Sequence, residues 1–201
     1  MNKFVAMDID GVLADFEGFL VDYLDTVFSN LQHNRDVYDL RKRYPVTEVR
    51  ECASRFTADP NTYYAVPRID EGFQLMDEIL RTLGDVLLVT SRPVACETFT
   101  KRWIAREMKE WGMNYNDLLG VSFASNKSSF LFPMRDKIAF LVDDNPEEVL
   151  EAQKFGLTAF SWAQPWNEEV YPKVFVTRDG YTMYQQNEHT DPVYFWGEER
   201  E

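Results

Sequence analysis

Short runs of apolar residues, each the length of a buried strand, alternate along the chain with longer amphipathic segments. The runs lack the polar alternation of half-exposed strands, so they are typical of parallel strands covered on both faces. We predict such strands at 4–7, 86–89, 121–124, 139–142 and 157–160. Apolar residues at helical spacing predict helices at 71–83, 99–111 and 146–155. This alternation predicts an α/β fold with a doubly wound, Rossmann-like parallel sheet.

A long and mostly helical interval between the first and second predicted strands interrupts this alternation. Helical spacing is clear at 15–31, and a second helix is predicted at 46–56. We therefore assign 16–68 to a small helical cap inserted after the first strand, and 1–15 with 69–201 to the α/β core. In the last part of the chain, 174–176 and 193–196 are strands or edge segments that the pattern leaves unassigned.

Two carboxylates, Asp8 and Asp10, stand two residues apart just past the first predicted strand. Strand periodicity directs both to the same side, at the sheet edge where open α/β folds bind ligands. Gly11 then lets the chain turn without a Cβ clash. Because close carboxylates repel, the pair indicates a divalent cation or separate acid and base roles. The simpler alternative is a polar turn in which an Asp caps the next helix.

Polar residues with phosphate-binding chemistry follow the second predicted strand. Thr90, Ser91 and Arg92 supply hydroxyls, backbone N–H groups and a guanidinium, all of which suit phosphoryl oxygens. Ser and Thr at a strand end are also common turn formers and helix caps, so this segment alone is a weak signal.

Paired acids follow the fourth predicted strand. Asp143 and Asp144 suit Mg²⁺, which prefers one or two carboxylates plus water and phosphate oxygens. In the alternative, Asp144 or Asn145 only caps the helix that begins at Pro146, and both interpretations can hold together.

A lysine near these acids would neutralise the charge on a transferring phosphoryl group. The candidates are Lys127, which follows a strand at its ligand-facing end, and Lys137, which precedes a strand at the opposite end. The strand-end rule favours Lys127.

Taken in order, Asp8-x-Asp10-Gly11-Val12, Thr90-Ser91, Lys127 and Asp143-Asp144 resemble the four motifs of the haloacid dehalogenase superfamily of phosphohydrolases. The resemblance covers roughly residues 3–160, and that superfamily places one type of cap after the first motif. Within it, the stretch 8–18 is most similar to the 5′(3′)-deoxyribonucleotidases, which remove phosphate from nucleoside monophosphates. Arg92-Pro93 and Pro165-Trp166-Asn167 resemble bacterial and phage members of uncertain substrate.

The resemblance implies a mechanism and a ligand set. Asp8 would attack phosphorus to give an aspartyl-phosphate, while Asp10 protonates the leaving oxygen and later deprotonates the hydrolytic water. Mg²⁺ would be held by the Asp8 carboxylate, the Asp10 backbone carbonyl and a carboxylate of Asp143 or Asp144. The residues implied to hold the phosphoryl oxygens are Thr90, Ser91 and Lys127.

Aromatic residues in and beside the predicted cap are candidates for a slot that stacks on a flat nucleobase. We choose Phe16, Tyr64 and Phe73 as candidate pocket residues; the other rings considered are Phe19, Tyr38 and Tyr63. Rings at helical spacing are more often part of a core than of a pocket.

Composition narrows the classes of partner and location. The 201 residues carry a net charge of −13, which disfavours nucleic acid and anionic membranes as partners but permits a small phosphate ester such as a nucleoside monophosphate. Two cysteines in no metal-ligand spacing argue against a disulfide scaffold or a zinc site. The N-terminus lacks a signal peptide and no segment approaches a membrane span, so we expect a cytoplasmic protein.

Other functions remain open from the sequence. A phosphatase on the same fold can act on nucleic-acid ends or on a non-nucleotide phosphate monoester, although the acidic excess between residues 16 and 80 disfavours a basic groove. A catalytically silent binding module would be expected to lack one of the acids, and this chain retains them all. The oligomeric state is open, with a homodimer among the options.

Overall fold

An eight-stranded sheet forms the centre of the fold in the computed structural model, which describes residues 3–177, 180 and 182–195. The strands are β1 (Phe4–Met7), β2 (Val86–Thr90), β3 (Leu118–Phe123), β4 (Ile138–Asp143), β5 (Ala159–Trp162), β6 (Lys173–Val176), β7 (Thr182–Gln185) and β8 (Val193–Tyr194). Across the sheet their order is β3-β2-β1-β4-β5-β6-β7-β8. The first six in that order are parallel, and β7 and β8 are antiparallel. The predicted doubly wound α/β fold is confirmed.

Helices connect the parallel strands. Those in the described part of the chain are α1 (Phe16–Val27), α2 (Leu40–Arg43), α3 (Thr47–Ala58), α4 (Pro60–Ala65), α5 (Asp70–Thr82), α6 (Glu97–Trp111), α7 (Lys127–Leu131) and α8 (Pro146–Lys154). The predicted helices at 71–83, 99–111 and 146–155 correspond to α5, α6 and α8 to within two residues. Over residues 3–177, 180 and 182–195, no helix combines the length and apolarity needed to cross a membrane.

Some predicted boundaries were wrong. The fifth strand begins at Ala159, two residues later than predicted, because Leu157 belongs to the end of α8. The Leu157 N–H donates to the Ala152 carbonyl at 3.0 Å, which is the bonding of a helix C-terminal cap. Helix α1 ends at Val27 and not at residue 31, since the backbone of Phe28 is extended.

Both faces of the sheet are covered by apolar side chains, as expected for parallel strands. Val5 and Met7 of β1 face a core built with α5 and α6, which contribute Phe73 and Trp103 among others. The alternate residues of β1 face a second core that includes Val149 of α8. The sheet therefore holds the carboxyl ends of β1, β2 and β4 in fixed positions at one edge.

Residues 16–65 form α1 to α4 and pack around a hydrophobic cluster of their own, which includes Leu24 and Phe56. The two ends of this segment lie side by side, because the Asp15 N–H donates to the Pro67 carbonyl at 2.9 Å. The side chain of Asp15 also caps α1. We retain 16–68 as the proposed cap, attached to the core through this narrow connection.

The last part of the chain extends the sheet. The segment 174–176, left unassigned above, lies within β6, and residues 193–194 form β8. Trp196, the end of the other unassigned segment, lies outside the described residues. Strand β7 was not predicted, and it pairs antiparallel with β6 from Lys173 opposite Gln185 to Val176 opposite Thr182.

Candidate functional site

Three carboxylates and one lysine converge at the carboxyl ends of β1 and β4. Asp8, Asp143 and Asp144 each offer an oxygen, and these oxygens lie within 4.8 Å of one another. Lys127 Nζ lies 2.6 Å from Asp8 Oδ2 and 2.8 Å from Asp143 Oδ2. None of the four residues is more than 3% exposed. The structure thus brings Lys127 to the acids and leaves Lys137 exposed ahead of β4.

Burial raises the pKa of all three carboxyl groups in this cluster. The pKa of Asp8 is raised to about 8 by loss of hydration, opposed by Lys127 and reinforced by the charges of Asp143 and Asp10. Loss of hydration also raises the pKa of Asp143 and, together with the charge of Asp8, that of Asp144. With all groups ionised, three negative charges and one positive charge leave a net charge of −2, which one divalent cation neutralises.

The oxygens of the cluster fit a metal ion. Asp144 Oδ1 is buried and has no hydrogen-bond partner in the described part of the chain. A buried acceptor left unpaired costs roughly 1–3 kcal/mol, and a bound cation would satisfy it. Asp143 accepts from the Asn145 N–H at 2.9 Å and from Lys127. Asn145 itself caps α8 by accepting from the Glu147 N–H at 2.9 Å, so the capping alternative holds for Asn145 and leaves both aspartates to the cluster.

Gly11 makes room for Asp144. Its φ is +78°, and a Cβ at this position would lie 2.2 Å from Asp144 Oδ2. The backbone of both residues is tied to the turn after β5: Gln164 Nε2 donates to the Gly11 carbonyl at 2.8 Å, and Asn167 Nδ2 donates to the Asp144 carbonyl at 2.8 Å. Trp166 Nε1 donates to the same carbonyl at 3.2 Å. These three residues were missed as site residues, although polar and aromatic side chains directly after a strand end were the available signal.

A buried glutamate orients the lysine. Lys127 is the first residue of α7, and Glu148 accepts from the backbone N–H groups of Lys127 at 3.1 Å and Ser128 at 2.9 Å. A carboxylate at a helix N-terminus is favourable there, because it pairs with free N–H groups and with the positive end of the helix dipole. Glu148 was not predicted, since nothing in its local sequence shows that α8 packs beside the start of α7.

The three predicted phosphate-binding residues at the end of β2 occupy different surroundings. Thr90 is buried, and its Oγ1 accepts from the Arg92 N–H at 3.2 Å, which is the turn-forming role of the simpler alternative. Ser91 is exposed and lines a cavity. Arg92 also reaches that cavity, but it pairs with Asp10 through two contacts of 2.8 and 2.6 Å.

A cavity of about 510 Å³ opens between this sheet edge and the helical segment. Asp10 and Asp144 are part of its wall. Four aromatic rings also line it, namely Phe16, Tyr38, Tyr63 and Trp166. A volume of this size suits a small-molecule ligand.

Of the three predicted pocket rings, only Phe16 lines the cavity. Phe73 is fully buried in the core beside Trp103, because it faces inward from α5. Tyr64 lies beneath Arg102 and Arg106 of α6. Successive helical residues point about 100° apart, so α4 directs Tyr63 to the cavity and Tyr64 away from it. The pocket predictions for Tyr64 and Phe73 were therefore wrong.

Comparisons with known proteins place the fold. No protein-family model matches the chain, and no curated protein matches it. A haloacid dehalogenase-like hydrolase from Streptococcus pneumoniae matches with a TM-score of 0.55 and 12% identity, over 80% of this chain and 84% of that chain. A second hydrolase, from Streptococcus pneumoniae TIGR4, matches with a TM-score of 0.52 and 14% identity, over 81% and 94%. CbbY from Rhodobacter sphaeroides in complex with phosphate matches with a TM-score of 0.51 and 12% identity, over 85% of this chain and 91% of that chain. The chain therefore has the α/β fold of haloacid dehalogenase-like hydrolases.

Proposed function

We propose that this protein is a Mg²⁺-dependent phosphohydrolase of the haloacid dehalogenase superfamily that removes phosphate from nucleoside monophosphates. The observation that carries the proposal is the buried cluster of Asp8, Lys127, Asp143 and Asp144 beside a cavity lined with aromatic rings. A buried net charge of −2 is costly without a cation, and functional sites are where such arrangements concentrate.

Asp8 is the proposed nucleophile. Its Oδ1 accepts from the Ile9 N–H at 2.7 Å and its Oδ2 contacts Lys127, so the carboxylate is fixed in orientation. An Asp8 oxygen attacks phosphorus, the bond from phosphorus to the leaving oxygen breaks, and Asp10 gives that oxygen a proton. Asp10 then takes a proton from water as the water oxygen bonds to phosphorus. The bond from phosphorus to Asp8 breaks, which restores Asp8 and releases inorganic phosphate. Lys127 balances the charge that develops on the phosphoryl group.

The proposed Mg²⁺ ligands are the carboxylates of Asp8, Asp143 and Asp144 and the backbone carbonyl of Asp10. When bound, the ion would neutralise phosphoryl charge and orient the group for in-line attack.

The cavity supports a substrate with a flat ring. Tyr38 and Trp166 line it with their ring centres 6.2 Å apart, and Phe16 stacks on Tyr63 with centroids 5.4 Å apart. Aromatic faces of this kind favour stacking on a nucleobase. A bare sugar phosphate would leave most of this aromatic surface unused.

Helix α2 carries a basic run, Arg41-Lys42-Arg43, which gives little support to a substrate at a nucleic-acid end. Arg43 is buried and pairs with Glu17, so its charge is neutralised inside the helical segment. A groove that follows a phosphate backbone requires several accessible cations.

A panel of nucleoside and sugar monophosphates, assayed for phosphate release, tests the proposal. We expect release that requires Mg²⁺, stops with chelator, is lost in Asp8→Asn and is fastest for nucleotides. Asp136→Asn, which changes an exposed aspartate, is the matched control and should remain active. Faster turnover of sugar phosphates than of nucleotides would overturn the nucleotidase proposal. Failure to release phosphate from any ester in the presence of Mg²⁺ would favour a catalytically silent binding module.

A further inference from the structure

Arg92 and Asp10 form a two-pronged ion pair at the wall of the cavity. Arg92 Nε lies 2.8 Å from Asp10 Oδ2, and Nη2 lies 2.6 Å from Asp10 Oδ1. The planar guanidinium matches the carboxylate at both oxygens, which is the most directional ion pair available to proteins. The Arg92 side chain is 1% exposed and that of Asp10 is 27% exposed, so the carboxylate faces the cavity and the guanidinium lies behind it.

The guanidinium is itself held from three sides. It lies 4.8 Å from the centroid of Tyr63 and 5.5 Å from that of Trp103, and Nη1 lies 3.3 Å from Thr100 Oγ1. Trp103 is fixed in turn, because its Nε1 donates to the Val66 carbonyl at 2.8 Å. Arg92 therefore has little freedom to leave Asp10 for another partner.

We propose that Arg92 is a positioning residue that holds Asp10 in the orientation needed for proton transfer. The inference rests on the proposed phosphatase function. Asp10 stands two residues from Asp8 and lines the cavity together with Asp144, so repulsion between like charges would turn an unrestrained Asp10 carboxylate away from these acids. The two-pronged contact with Arg92 fixes this carboxylate and occupies one lone pair on each of its oxygens. A lone pair that remains on the cavity side can carry the proton that Asp10 gives to the leaving oxygen and later takes from water.

This role differs from direct phosphate binding, which the sequence favoured for Arg92. A phosphate ligand would act on every substrate alike, whereas a residue acting through Asp10 matters most where the leaving oxygen needs a proton. Alkoxide leaving groups, such as the 5′-oxygen of a nucleoside, need that proton. The p-nitrophenolate ion needs it far less.

The first test compares leaving groups in Arg92→Lys and Arg92→Met. With a nucleoside monophosphate we expect kcat/KM to fall by about 10²-fold, the lower end of general acid–base contributions. This ratio reports the steps up to departure of the leaving group, so it leaves out the later hydrolysis that all substrates share. With p-nitrophenyl phosphate we expect kcat/KM to fall by less than about tenfold. The inhibition constant for inorganic phosphate should be unchanged. Arg102→Met removes another arginine that stacks on a tyrosine, away from the cavity, and should leave both rates unchanged. Arg92→Lys keeps the buried charge, so it guards against a folding defect in Arg92→Met.

The second test is a double-mutant cycle with Asp10→Asn. If Arg92 acts through Asp10, Arg92→Lys should cost almost nothing further in the Asp10→Asn background. Equal losses on both substrates, weaker phosphate inhibition or full additivity in the cycle would overturn the inference and favour direct phosphate binding. Wild-type protein without Mg²⁺-dependent phosphatase activity would instead refute the proposed function, before any Arg92 variant is compared.

Discussion

Magnesium should stabilise this protein against heat, and by more at pH 9 than at pH 6. The reason is the raised pKa of Asp8, which is about 8 in the native cluster against an ordinary aspartate value of 3.8. Between these values the native state binds a proton that the unfolded state has released, so the metal-free protein loses stability as pH rises through this window. Asp143 and Asp144 shift in the same direction. A bound divalent cation replaces that proton, so its stabilising effect should grow as pH rises.

The size of the effect follows from ligand linkage. At a Mg²⁺ concentration of 100 times Kd, binding to the native state alone adds about 2.7 kcal/mol to the free energy of unfolding. For a chain of this size, each kcal/mol raises the melting temperature by about 2–4 °C. The expected difference between Mg²⁺ and chelator is therefore about 5–10 °C at the higher pH.

Thermal unfolding followed by circular dichroism, with Mg²⁺ or with chelator at each pH, measures this difference. Taking the difference at each pH cancels the titration of groups outside the site. Asp144→Asn should raise the stability of the metal-free protein, because it removes a like charge from the cluster, and should reduce the effect of Mg²⁺. Asp136→Asn, on the surface, should do neither. Equal melting temperatures with Mg²⁺ and chelator at pH 9 would refute the cation site.

Three further outcomes test other parts of the molecule. Lys127→Met should abolish phosphate release yet enlarge the Mg²⁺-dependent rise in melting temperature, because the net charge of the ionised cluster is then −3. A smaller rise than in the wild-type protein would contradict this charge balance. In urea denaturation, Gly84→Ala should cost about 1–2 kcal/mol for its positive φ alone, and Gly11→Ala should cost more because its Cβ also meets Asp144. Phe73→Ala should cost about 3–5 kcal/mol with an unchanged KM, since this ring lies in the core; a changed KM without lost stability would place it in the cavity after all.

The parts of the site that could be predicted are those that a single strand end determines. Asp8 and Asp143 each stand where a parallel strand of the sheet ends, and adjacent parallel strands end at the same edge. Strand length and apolar content are visible in the sequence, so the convergence of these acids followed from them. Lys127 followed from the same rule, although its distance from the acids did not.

The parts that could not be predicted depend on contacts between distant segments. Glu148 acts at the start of α7 because α8 packs beside it, and Gln164 reaches the Gly11 carbonyl from the turn after β5. Glu148 has no local pattern that differs from an ordinary helix position. Gln164 follows a strand end, but that position does not show which backbone group its side chain reaches. The choice between Tyr63 and Tyr64 likewise depended on the rotation of the short helix α4, which apolar periodicity over six residues does not fix.

The pairing of Arg92 with Asp10 also determines how many cations the site requires. Four carboxylates meet at this sheet edge, and the charge of Asp10 reaches Asp8 and Asp144. Arg92 cancels that charge locally through the two-pronged contact, and Lys127 cancels one of the remaining three. A single divalent ion then suffices to neutralise what is left. The arginine at the end of β2 therefore connects the geometry of the proposed proton donor with the charge balance of the proposed metal site, and losing it would disturb both.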